Sequence, residues 1–181
     1  MRFDNNYIIS SSPERFLNID DMGNVESRPI KGSAARYTDI RKDKASKARL
    51  LSEKNKAENL MIVDLMRNDL SRSCEINSVK VKNLFDITSY STIHHLSSTI
   101  IGKKRKDIST LDLILNCFPP GSMTGTPKIK AMEVCSKLEK IKRGIYSGVI
   151  GWFGGDGSAD LSVVIRTLII SGNKFEFQVG G

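Results

Sequence analysis

Arg15-Phe16-Leu17-Asn18-Ile19-Asp20-Asp21-Met22-Gly23-Asn24-Val25-Glu26-Ser27-Arg28-Pro29-Ile30 holds two β-type runs around a turn. The runs carry aromatic and β-branched residues, and Asp-Asp-Met-Gly-Asn between them supplies the small polar residues that reverse a chain. With Tyr7-Ile8-Ile9-Ser10 in front, the segment predicts a β-meander. The other end of the chain is β-type as well. Residues 145–153, 161–170 and 174–179 are strand-like, separated by Gly154-Gly155-Asp156-Gly157 and Ser171-Gly172-Asn173 turns.

Between these ends lies helical sequence. Residues 39–72 lack Gly and Pro and place Leu50, Ala57, Leu60, Met61 and Leu65 at helical spacing, predicting one or two helices. Residues 79–81 and 84–101 are rich in β-branched types and read as strands, followed by a short helix over 109–117 with Ser109 as cap and Asp112 three residues on. Pro119-Pro120-Gly121-Ser122-Met123-Thr124-Gly125 is a loop. It feeds a helix expected to have Thr126 as cap, Pro127 as first residue, Lys142 and Arg143 near its end and Gly144 as its stop. Hairpins joined by two long helices predict one α+β domain over residues 1–181 with a largely antiparallel sheet.

Composition narrows the class. The chain of 181 residues is 39% hydrophobic, and 28 Lys and Arg against 20 Asp and Glu give a net charge of +8. That balance excludes a disordered or collagen-like chain. No apolar run is long enough to span a bilayer, and Met1-Arg2-Phe3-Asp4-Asn5-Asn6 lacks a signal peptide's apolar core, so a cytoplasmic protein is expected. Cys74, Cys117 and Cys135 are too far apart for a CxxC metal site and odd in number, and read as buried thiols. Two basic clusters, at 41–56 and 103–106, contain no stacking aromatic residue and read as solvated surface, so no nucleic-acid partner is expected.

Several side chains could carry chemistry. Lys31, beside Gly32 and Ser33, could serve as a nucleophile if held in a partly closed site. Glu14, ahead of a strand, could be a general acid if burial raises its pKa, or a plain ion pair with Arg15. Glu58 lies beside an apolar helix face and needs a partner, for which Mg²⁺ and arginine are candidates. Asp64, Arg67, Asn68 and Asp69 read as a polar network fixing a helix end. His94 and His95 are adjacent in a strand and point to opposite faces, so at most one is functional. The 121–128 loop lacks the Gly-Lys-[Ser/Thr] order of an ATP-binding loop, but its helix start favours an anion. Arg166, in an apolar strand, is expected to grip a carboxylate, either from the protein or from a ligand.

The ordered series Ser12-Pro13-Glu14-Arg15-Phe16, Arg28-Pro29-Ile30-Lys31-Gly32-Ser33, residues 58–70, His95-Leu96-Ser97-Ser98, residues 120–132, Arg143-Gly144-Ile145-Tyr146-Ser147-Gly148 and Ile165-Arg166-Thr167 resembles the chorismate-utilising enzymes, which include anthranilate synthase component I and aminodeoxychorismate synthase component I. Anthranilate-forming members typically have alanine where Lys31 stands, whereas Pro-Ile-Lys-Gly resembles the aminodeoxychorismate branch of para-aminobenzoate and folate synthesis. The resemblance implies that Lys31 attacks chorismate, Glu14 protonates the leaving hydroxyl, and ammonia from a glutamine amidotransferase subunit then displaces the lysine. It implies Mg²⁺ on Glu58, Arg166 and Tyr146 for the enolpyruvyl carboxylate, Gly32, Ser33, Thr124 and Gly125 lining the pocket, His95 near the ring and a backbone contact from Gly180. Ser33 and Thr126 replace the family's usual threonine and alanine. Relative to the family's pattern the domain is expected to be incomplete at both ends, lacking a second Mg²⁺ carboxylate. Anthranilate synthase and an inactive remnant are the alternatives.

Overall fold

The computed structural model describes residues 1–3 and 5–180; Asp4 and Gly181 lie outside the described residues. In chain order the elements are β1 (Arg2–Phe3), β2 (Asn6–Ser10), β3 (Arg15–Ile19), β4 (Asn24–Arg28), β5 (Ile30–Ala35), α1 (Ile40–Leu50), α2 (Glu53–Ser71), β6 (Lys80–Ser89), β7 (Ile93–Lys103), α3 (Thr110–Cys117), α4 (Lys128–Leu138), β8 (Val149–Phe153), β9 (Ala159–Val163), β10 (Thr167–Ser171) and β11 (Lys174–Phe177). A four-stranded sheet runs β1-β2-β10-β11, and a seven-stranded sheet runs β5-β7-β4-β3-β9-β8 with β6 also on β7. Every named pairing is antiparallel, as α+β patterning predicts.

The opening is not a simple meander. β3 and β4 form the expected hairpin, but β2 leaves for the other sheet, where Ile9 faces Leu168 and Tyr7 faces Ile170. β4 and β5 lie end to end along β7, divided at Pro29, which has no N–H to give the ladder. The strand expected over 161–170 is likewise two strands in different sheets, broken at Arg166, whose φ is 50°. Residues 84–101 divide into β6 and β7 around Tyr90, whose N–H donates to Ile93 O at 2.8 Å.

The region 39–72 folds as two helices. Asp39 caps α1 by accepting from Arg41 N and Lys42 N, both at 2.9 Å, and Ser52 caps α2 by accepting from Asn55 N at 3.4 Å. Ser109 caps α3, as its sequence indicates. The last helix departs from expectation at both ends. It starts at Lys128, with no side-chain cap from Thr126, and stops at Leu138 rather than near Gly144. The reason for the early stop is visible at Arg143. Its guanidinium is bonded to Glu139 and to Met123 O, which folds 139–143 back onto the preceding loop.

The core lies between the seven-stranded sheet and the helices. Leu17, Ile19, Val25 and Ile100 from the sheet meet Ile62, Val63, Met66 and Leu70 of α2 and Leu113 and Ile114 of α3. Cys74 and Cys117 are buried there as free thiols, and burial pushes them up to about 11 and about 12; Cys135 is only half-buried. α1 is fastened by a polar joint. His94 is fully buried, with Nε2 2.7 Å from Asp43 Oδ1 and Nδ1 2.9 Å from Ser89 Oγ.

Candidate active site

Glu14 stands immediately before β3, and its backbone is held by Val163 N at 3.0 Å. Its side chain is buried and lies near Ser122, the Ile30 N–H and Lys31. Removal from water outweighs all three, pushing the carboxyl up to about 7. The pairing with Arg15 does not form. Arg15 instead reaches Glu26 at 2.9 Å and Asp160 at 3.4 Å.

Lys31 is the second residue of β5. Gly32 follows with φ 103°, which turns the strand against Leu50 and Asn55; a side chain in that conformation is strained. Lys31 Nζ lies 3.4 Å from Glu58 Oε2, while Lys54 Nζ is 4.0 Å from Oε1. A cavity of about 740 Å³ opens beside the lysine, lined by Lys31, Ser122, Thr124, Gly125, Tyr146 and Gly180 among others. Five of the residues named from sequence therefore meet in one cavity. The lining also includes Arg143.

The remaining candidates sit elsewhere. Ser33 Oγ is 2.7 Å from His95 Nδ1, and Tyr90 packs edge-on against the imidazole at 5.5 Å. His95 lines a separate cavity of about 470 Å³ together with Glu14 and Trp152, so Glu14 and Lys31 line different cavities. Burial, then Arg166, holds the His95 imidazole below its usual range. Arg166 itself is exposed at the break between β9 and β10 and lines neither cavity. It is exposed rather than buried in a strand and pairs with no carboxylate of the protein among the described residues, so of the two expected partners the protein carboxylate does not occur there. Its backbone oxygen accepts from Ser11 N at 3.1 Å.

Asp64, Arg67, Asn68 and Asp69 do not form one network. Asp64 and Arg67 make an exposed pair at 3.0 Å, whereas Asp69 turns inward to Lys128. Sequence reading also missed two contributors, Ser122 and Arg143. Ser122 was visible only as one small residue in a loop, and Arg143 only as a charge suited to a helix end. Neither pattern carries a signal for what the side chain reaches across the fold.

Glu58 offers a metal ion one half-exposed carboxylate whose oxygens meet the side-chain nitrogens of Lys31 and Lys54. No cluster of three His, Cys, Asp or Glu side chains suited to a metal occurs among the described residues. One carboxylate still fits magnesium, which keeps waters and takes remaining ligands from substrate oxygens.

A cavity with an amine and hydroxyl-bearing and glycine-rich walls, with a protonatable buried carboxyl near that amine, defines a domain that can bind and transform a small anionic molecule. The model of the chorismate binding enzyme family matches residues 1–181, and the chain belongs to that family. It is 51% identical over 175 residues to the chloroplastic aminodeoxychorismate synthase of Arabidopsis thaliana, covering 96% of this chain and 19% of that one. It is 40% identical over 182 residues to aminodeoxychorismate synthase component 1 of Salmonella typhimurium, covering 100% and 40%. The crystal structure of anthranilate synthase component I from Streptococcus pneumoniae superposes with a TM-score of 0.84 at 35% identity, over 96% of this chain and 38% of that one. The chain thus spans two fifths or less of the length of these relatives. No helix among the described residues is long and apolar enough to cross a membrane.

Proposed function

We propose that this chain carries the chorismate-binding site of an aminodeoxychorismate synthase, which converts chorismate and ammonia into 4-amino-4-deoxychorismate. The observation that carries the reading is Lys31: a primary amine at the cavity wall, next to a buried carboxyl that holds its proton near neutrality. The Lys31 amine forms a bond to C2 of chorismate as the C4 hydroxyl leaves as water, taking the Glu14 proton. Ammonia then bonds to C4, the C2–nitrogen bond to Lys31 breaks, and the proton shed by the incoming nitrogen returns to Glu14. Chorismate and ammonia become product and water, and the enolpyruvyl group stays on the ring.

The surroundings suit a dianionic substrate. Thr124 and Gly125 line the cavity with a hydroxyl and backbone groups, and Tyr146 adds a phenol beside Gly180. Arg143 adds a guanidinium to the cavity wall, with Glu139 already holding part of it. Magnesium on Glu58 would supply positive charge for a substrate carboxylate. A glutamine amidotransferase partner is the proposed source of ammonia, and the component 1 relatives' names fit a two-component enzyme. A cytoplasmic location fits three unpaired cysteines.

The test is product analysis with chorismate, an ammonium salt and magnesium, using the chain and its Lys31→Ala variant. A product retaining enolpyruvyl, lost in the variant, is expected. Anthranilate with free pyruvate would assign the other branch, and amination undiminished by Lys31→Ala would reject the nucleophile.

A further inference from the structure

The four-stranded sheet carries its most apolar face outward. The register of β2, β10 and β11 sets Tyr7, Ile170 and Phe175 side by side, and Ile9, Leu168 and Phe177 side by side, so these six side chains share one face. Tyr7 is 44% exposed, Ile9 56%, Phe175 76% and Phe177 55%, with Leu168 and Ile170 half-buried between them. The polar residues of the same strands, Asn6, Ser10, Thr167, Ser171, Lys174 and Glu176, alternate onto the other face. There Ser10 bonds Thr167 at 2.8 Å and Ser171 donates to Asn6 at 2.6 Å, while Ile8 lines a groove with Ile114 and Leu115 of α3.

An antiparallel sheet with one solvated face ordinarily turns its polar residues to that face. Here the solvated face holds the aromatic and aliphatic ones, an arrangement suited to being covered. At ~150–250 Å² for a large side chain, the four exposed residues leave roughly 400 Å² of apolar surface, the scale of patches that serve association. Two such faces in contact bury about 800 Å² from these residues alone, and Leu168, Ile170 and the rim bring the total near ~1,000 Å², the least that holds a specific complex.

We propose that this face takes a second copy of the chain, the two sheets packing face to face through β2, β10 and β11 about a twofold axis. Charge decides the partner. With a net charge of +8, two copies repel wherever lysine and arginine crowd their surfaces. Among the described residues the one charged strand position on this face is Arg2 in the edge strand β1, whose guanidinium lies 5.5 Å over the Tyr7 ring. An almost uncharged patch meeting itself brings few like charges together, and twofold symmetry requires a patch that matches itself. A membrane-binding face would be rimmed by several lysines or arginines, which this one is not.

Sedimentation equilibrium of the 181-residue chain over about 1–200 µM tests the proposal, since a contact of this size holds with a dissociation constant on the order of micromolar. The mass rises from 20.1 kDa toward twice that value and no further. Raising salt from ~50 to ~500 mM tightens the dimer, because screening removes repulsion and leaves the apolar contact in place. Phe175→Lys and Ile9→Lys each weaken it by at least about thirtyfold, the weight of an interface hot spot. Ile76→Lys, at an 89% exposed side chain beyond α2, leaves it unchanged. A measurement on the native chain covers the case in which a lysine variant misfolds: hydroxyl radicals oxidise Tyr7, Phe175 and Phe177 several-fold less at ~100 µM than at ~1 µM, as mass action requires. A monomer at every concentration overturns the proposal, whether the face stays open, joins a separate polypeptide or floats with phosphatidylcholine and phosphatidylserine vesicles. So does a mass that grows past the dimer, as edge pairing through β11 gives, or a dimer that loosens with salt or survives both lysine variants.

Discussion

Replacing Glu14 by glutamine should make the protein more stable, and only above mildly acidic pH. The native carboxyl titrates at about 7, against 4.5 for the ordinary side chain. Between those values the folded state holds a proton that the unfolded chain has released, so stability falls as pH rises through this window and stays reduced above it. At 1.36 kcal/mol per pH unit, the difference amounts to about 3 kcal/mol at pH 8 and under ~1 kcal/mol at pH 5. Glutamine keeps the shape but has no charge to desolvate.

Urea unfolding of the native protein and Glu14→Gln at pH 5 and pH 8 measures this directly. The variant should gain about 3 kcal/mol at pH 8, or ~6–12 °C in melting temperature for a chain of this size, and little at pH 5. A variant no more stable than the native protein at pH 8, or a gain independent of pH, would refute the assignment of a strained acid. The same burial that weakens the fold at pH 8 keeps a proton available at neutrality, where a poor leaving group needs one.

Two further substitutions test the supports around the site. His94→Leu removes both imidazole bonds that join α1 to the sheet, at a cost of ~1–3 kcal/mol; amide exchange in Ile40–Leu50 should accelerate more than in Glu53–Ser71, and uniform exchange across both helices would contradict the joint. His94 is also the leading reason that Asp43 sits well below the usual carboxylate range, so the native protein should lose this stabilisation as pH falls below about 4 and the variant should show a shallower acid limb. Gly121→Ala drives a methyl to 2.6 Å from Leu65 Cδ2 and should destabilise by ~1–3 kcal/mol; adding Leu65→Ala makes room, so the double variant should be more stable than the sum of the singles, and additivity in urea melts would show that the loop does not rest on α2.

Much of the fold was legible because the relevant physics is local. Asp39, Ser52 and Ser109 are side chains that accept backbone N–H groups a few residues away, and two of the three turns that join strands 145–179 are marked by glycine. The β3–β4 hairpin and the β10–β11 hairpin followed from the same cues. Sheet membership was not legible. β2 and β3 are separated by four residues but belong to different sheets, and β9 and β10 by three, because pairing partners are chosen across the fold and no periodicity within a short run records them.

The site divides along the same line. Lys31, Thr124, Gly125 and Tyr146 stood in quoted motifs and meet, with Gly180, in one cavity, whereas Arg166 was read from an apolar run that hides a break with positive φ. Asp69 and Lys128 are 59 residues apart, and Asp69 looked like one member of a helix-end cluster whose other members face solvent. Only the packing of α3 and α4 on α2 shows why one carboxylate in that cluster is buried: it receives the side-chain nitrogen of Lys128 at the start of α4.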